Sequence, residues 1–107
     1  MPDTIGGGKV RPQVTIHVKL SDFLAKLVAE AKFDVKINAG ATVEEFIAAL
    51  TERLGDEFRR AVVDRKGRLL ADIAVIVNNQ FIPPQQFTEL TIRENSSFSI
   101  IPIAGGG

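Results

Sequence analysis

Cysteine is absent from the 107 residues, which excludes disulfides, thiolate metal sites and cysteine nucleophiles. A chain of this kind that handled sulfur would have to carry it on another atom. Charge of one sign is missing too. The 13 Lys and Arg cancel the 13 Asp and Glu, leaving no basic field for nucleic acid or an anionic membrane. No segment approaches the roughly twenty apolar residues of a membrane span. Met1 to Pro12 has no basic stretch leading into an apolar one, as a secretory signal would. The expectation is a cytoplasmic protein that engages neither nucleic acid nor membrane. His17 is the one histidine, so with cysteine also absent no metal set is expected.

Apolar residues make up 45% of the chain, enough for one core but not comfortably for two. Residues 1–12 hold Gly6-Gly7-Gly8 and two prolines and read as a flexible arm. From Gln13, Val14, Ile16, Val18 and Leu20 alternate with polar residues, the period of a half-buried strand. Ser21 or Asp22 can cap a helix carrying Phe23, Leu24, Leu27, Val28 and Ala31 on one stripe. Phe33, Val35 and Ile37 predict a second strand ending at Ala39-Gly40.

Thr42-Val43-Glu44-Glu45 is a capping box, in which the Thr42 hydroxyl and the Glu45 carboxylate satisfy each other's backbone N–H groups. It opens the main helix, with Val43, Phe46, Ile47, Leu50 and Leu54 at helical spacing and Gly55 as a left-handed stop. A short helical segment around Phe58 and Val62 follows, then a turn at Asp64 to Gly67. Ile73 to Val77 is apolar throughout, as for a strand covered on both faces. Asn78-Asn79 turns the chain into a strand stub at Phe81-Ile82, which Pro83-Pro84 ends, and Phe98 to Pro102 is the last strand. This order predicts an α+β domain over residues 13–102, a mixed sheet with one main helix across one face, as in a β-grasp. Other small α+β arrangements share that order. Residues 103–107 are a glycine-rich tail expected to be flexible.

Gly6-Gly7-Gly8-Lys9 lacks the spacing and the following Ser or Thr of a phosphate-binding loop. His17 falls on the polar side of its strand and reads as solvent-facing. Glu44, Glu45, Glu52 and Asp56, with Arg53, Arg59 and Arg60, read as a solvated helix face. The ending Gly105-Gly106-Gly107 is different. Glycine costs the most entropy to order and adds nothing to a core, so its use there lies outside the fold or it is simply a loose end. A terminus without side chains can thread a narrow channel and present its carboxylate to a reagent, which a Cβ would obstruct.

The capped helix Thr42 to Leu54, the strand-turn Val75 to Asn79 and the ending Ser99 to Gly107 resemble the ubiquitin-like sulfur carriers. These are the small subunit of molybdopterin synthase, the thiamine sulfur carrier and the ubiquitin-related modifiers. The resemblance covers Gln13 to Gly107 and is most specific at the ending, where the family runs apolar-apolar-Pro-x-x-x-Gly-Gly. It implies a β-grasp fold and a substrate rather than an enzyme. A ubiquitin-activating-type enzyme would consume ATP to adenylate the Gly107 carboxylate, and a sulfur donor would convert the adenylate to a thiocarboxylate. The resemblance implies that the carrier itself binds no cofactor or metal. The acceptor implied is the large subunit of molybdopterin synthase or another sulfur acceptor. Target-protein lysines are the alternative for a modifier, and an inert tail on an interaction module is a third reading.

By position, the resemblance places Phe81 and Ile101 on the sheet face that docks partners, with Pro102 and Ile103 leading into the reactive glycines. Strand alternation also turns Ile101 outward, whereas Phe81 can equally be read as buried under Pro83-Pro84. The interval from Pro102 to Gly107 matches the family's, which favours Gly107 over a trimmed Gly106. Two departures stand out: Asn78-Asn79 where the family often has Asn-Gly, and Glu94-Asn95-Ser96 where it often has an Asp-Gly-Asp-like loop.

Overall fold

The alternation that begins at Gln13 becomes an eight-residue strand, β1 (Gln13–Leu20), in a computed structural model that describes residues 12 to 103. Ile16, Val18 and Leu20 are buried on one face, and His17 and Lys19 are exposed on the other. A short helix α1 (Asp22–Val28) connects β1 to β2 (Lys32–Asn38), which pairs with β1 antiparallel over the register Gln13↔Asn38 to Lys19↔Lys32.

The expected apolar stripe of this helix holds only in part. Leu24 is fully buried, but Phe23, about 100° round the helix from it, is 59% exposed. The helix also stops early. Ala29 is left-handed (φ 62°), so Ala31 lies beyond it and offers its carbonyl to the N–H of Leu20. Ser21 occupies the N-cap in extended conformation, yet its hydroxyl makes no capping bond.

The main helix α2 (Val43–Leu54) starts as the sequence predicts. Glu45 N–H donates to Thr42 Oγ1 at 3.1 Å and Thr42 N–H to Glu45 Oε1 at 2.9 Å. Two more N–H groups that a helix start leaves unsatisfied find loop carbonyls, Val43 that of Leu90 and Glu44 that of Phe87. Gly55 ends the helix at φ 100° and ψ 178°, not in the left-handed helical region expected. That conformation suits glycine and lets one residue both close α2 and open α3 (Asp56–Val62).

Strands β3 (Ile73–Val77), β4 (Gln80–Phe81) and β5 (Ser97–Pro102) complete a five-stranded sheet of order β2-β1-β5-β3-β4. The stub β4 begins one residue earlier than expected. Ile82 lies just past it, buried, with its N–H on the Val75 carbonyl. β1 and β5 are parallel, and the other neighbours are antiparallel, which makes the sheet mixed. This is the β-grasp arrangement. The helices cover one face, where Phe46 meets Phe98 edge-to-face at 4.7 Å between centroids, amid fully buried Leu50, Phe58, Val75 and Ile100. Each such side chain contributes roughly 1.5–3 kcal/mol by leaving water. Among the described residues, nothing covers the opposite face (the uncovered face). No helix among the described residues is long and apolar enough to cross a membrane.

Candidate tail exit and docking face

β5, the middle strand of the sheet, carries the chain out between β1 and β3 as far as Ile103. Its partner β3 aligns Val75 with Ile100, Ala74 with Ile101 and Ile73 with Pro102. One more bond, Ile103 N–H to the Asp72 carbonyl at 2.7 Å, extends this pairing past the strand. Phe98 and Ile100 face the core and Ile101 faces out at 38% exposure, the phase read from the sequence. Ile103 is 48% exposed. Gly105, Gly106 and Gly107 lie outside the described residues, as do residues 1–11.

Phe81 resolves in favour of exposure. It is 58% exposed, and the Pro83-Pro84 segment does not bury it. The reason is register. Phe81 pairs with Ile76, which turns away from the core between buried Val75 and Val77. Ile76, Ile101 and Phe81 therefore share the uncovered face, with Ala74 between the first two in phase. Sequence reasoning missed Ile76, because a strand apolar throughout gives no alternation to read.

The turn supporting Phe81 explains the Asn78-Asn79 departure. Both residues have positive φ, 50° and 69°, as a two-residue hairpin with the right-handed twist requires and as asparagine tolerates. Asn78 does more than turn. Its Oδ1 accepts the Ser97 N–H at 2.9 Å, and its own N–H donates to the Ser97 carbonyl at 3.0 Å, so the hairpin is tied to the start of β5. In the other departing segment, Asn95 donates its N–H to the Thr15 carbonyl, and Glu94 Oε1 accepts the Thr15 N–H.

His17 is exposed as expected but engaged. Nδ1 lies 2.7 Å from Asp34 Oδ1, directly across the β1–β2 ladder, and Nε2 lies 3.3 Å from Asn95 Oδ1. The bond to Asp34 and then that to Asn95 raise its pKa above the ordinary 6.5. Among the described residues no three His, Cys, Asp or Glu side chains gather to hold a metal. A shallow cavity of about 320 Å³, lined in part by Glu44, Ile47, Leu69 and Phe87, shares no residue with the face that carries Ile76, Phe81 and Ile101.

A mixed sheet gripping one long helix, with a strand that runs into a glycine-ended tail, defines a ubiquitin-like carrier. The chain belongs to the ThiS family, whose model matches residues 18–107. The family is one of sulfur carriers and small modifiers that are substrates rather than catalysts. The fold is similar to that of SAMP1 from Haloferax volcanii, at TM-score 0.74 and 20% identity, over 87% of this chain and 99% of that one. It is similar to a putative molybdopterin converting factor, subunit 1, from Pyrococcus furiosus, at 0.66 and 18%, covering 85% and 99%. A chain of the Amycolatopsis orientalis BexX/CysO complex matches at 0.64 and 24%, covering 86% and 99%. No curated protein matches the sequence.

Proposed function

We propose that this chain carries sulfur as a thiocarboxylate on Gly107, most specifically for molybdenum or tungsten cofactor synthesis. A carboxylate is a poor electrophile and must be activated. One of its oxygens attacks the α-phosphorus of ATP on a ubiquitin-activating-type partner and pyrophosphate leaves. A hydrosulfide-level donor then attacks the acyl carbon, the C–O bond to AMP breaks, and a thiocarboxylate remains. The observation that carries the reading is the tail exit: among the described residues the outermost sheet hydrogen bond stands at Ile103, near exposed apolar Ile101. The family match through Gly107 supports it, as does the likeness to a molybdopterin converting factor subunit.

The likeness to SAMP1, a small archaeal modifier protein, favours a second reading in which a target lysine amine attacks the same activated carbonyl. The chemistry is shared up to the adenylate, and the acceptor belongs to the partners. Molybdopterin formation by the thiocarboxylated chain with the large synthase subunit of the same organism tests the first reading. Turnover supports it, and transfer only to protein lysines would replace it with the second.

A further inference from the structure

One row of outward side chains crosses all five strands of the uncovered face. The ladder pairs Lys32 with Lys19, Lys19 with Ser99, Ser99 with Ile76 and Ile76 with Phe81. At about 4.8 Å per strand the row spans roughly 19 Å, from two cations through a small polar residue to an apolar end. Lys36 continues the charge on β2, two positions beyond Asp34 on the same face.

The fold has no use for Lys19 opposite Lys32. Like charges directly across a ladder destabilise it, and either position would accept any polar residue. The carboxylate on the adjacent row, Asp34, is held by His17 at 2.7 Å. Among the described residues, His17, Asp34 and Lys36 are the other titratable groups on this face of the same strands, with Glu94 at the far end against Thr15.

We infer that Lys19 and Lys32 form the electrostatic half of the docking face and meet carboxylates on the partner protein, flanking an apolar seat for Ile76 and Phe81. The inference rests on the reading that this face meets the adenylating enzyme, and it deepens it by naming the chemistry of the partner's surface. A protein surface fits better than nucleic acid. Asp34 interrupts the lysines on β2, no arginine lies in the row, two of the row's five residues are apolar, and the whole chain is neutral with 13 charges of each sign. Peripheral charges of this kind act mainly on association rate and its salt dependence.

The test uses the full chain and the adenylating enzyme of the same organism, measuring affinity at low and high salt beside thermal stability. Lys32→Glu is expected to raise Tm, because it places opposite charges across the ladder, while weakening binding about fivefold or more. Lys19→Gln with Lys32→Gln should also weaken binding without lowering Tm, and the difference from wild type should shrink toward about 0.5 M salt. Binding within about twofold of wild type for all lysine variants, with Phe81→Asp still losing it, overturns the lysine assignment and leaves the docking face standing. If Phe81→Asp also binds normally, the face itself is wrong. Retention of single-stranded RNA by the wild type but not by Lys32→Glu, with enzyme affinity unchanged, overturns the inference in favour of nucleic acid.

Discussion

The main-chain N–H of Ile103 donates to the carbonyl of Asp72 at 2.7 Å, one residue after Pro102 pairs with Ile73. Among the described residues this is the outermost bond of the β3–β5 pairing, and the reach of the chain end is counted from it. Four residues follow, spanning at most about 13 to 14 Å when extended. Deleting Gly107 shortens that by roughly 3 Å, beyond the tolerance of a near-attack geometry. The deletion is expected to abolish ATP–pyrophosphate exchange, and Gly106→Val to block it with an unchanged Tm. Full exchange without Gly107 would point to activation at Gly106 instead.

Phe81 and Ile101 present apolar surface to solvent at 58% and 38% exposure. Phe81→Asp or Ile101→Asp should preserve the circular dichroism spectrum, because neither side chain is in the core. Each should cost about 2 kcal/mol in binding the adenylating enzyme, the range for the centre of an interface. Unfolding of both variants would show instead that these residues hold the fold together.

Asn78 combines a positive φ of 50° with the 2.9 Å bond to Ser97. Asn78→Ala loses the bond and keeps the unfavourable backbone, for an expected destabilisation of about 1 to 3 kcal/mol by urea titration. Asn79→Gly, at φ 69°, should be neutral or slightly stabilising. Equal losses at both positions would contradict the structural role given to Asn78.

His17 has a raised pKa because Asp34 and Asn95 bind its ring. A raised folded pKa means that its stabilising contribution is complete below about 6.5, the unfolded value, and fades as pH rises through the higher folded value. The Tm gap between wild type and His17→Gln should be wider at pH 6 than at pH 8.5 or so. A gap that widens with pH would show that the imidazole is bound in its neutral form.

Much of this was legible in the sequence, for reasons visible in particular residues. The capping box at Thr42 and Glu45 and the alternation of β1 act locally, so each was readable from a few neighbours. So was the outward phase of Ile101. Phe81 was not, because its exposure depends on pairing with Ile76 across a two-residue turn. The apolar run Ile73 to Val77 hides which of its residues face out. The engagement of His17 by Asp34 and Asn95 joins residues 17 and 78 positions apart in sequence, and only the register of β1 against its neighbours brings them together. Phe23 misled because it stands about 100° round the helix from buried Leu24, and Ala31 because the helix that forms ends at Val28.

Intact-mass spectrometry of the full chain isolated from its native cells tests the central claim most directly. The account predicts a species in which one oxygen is replaced by sulfur, with the change confined to the tryptic peptide that follows Arg93 and ends at Gly107. An unmodified chain alone, under every growth condition that requires the cofactor, would contradict it.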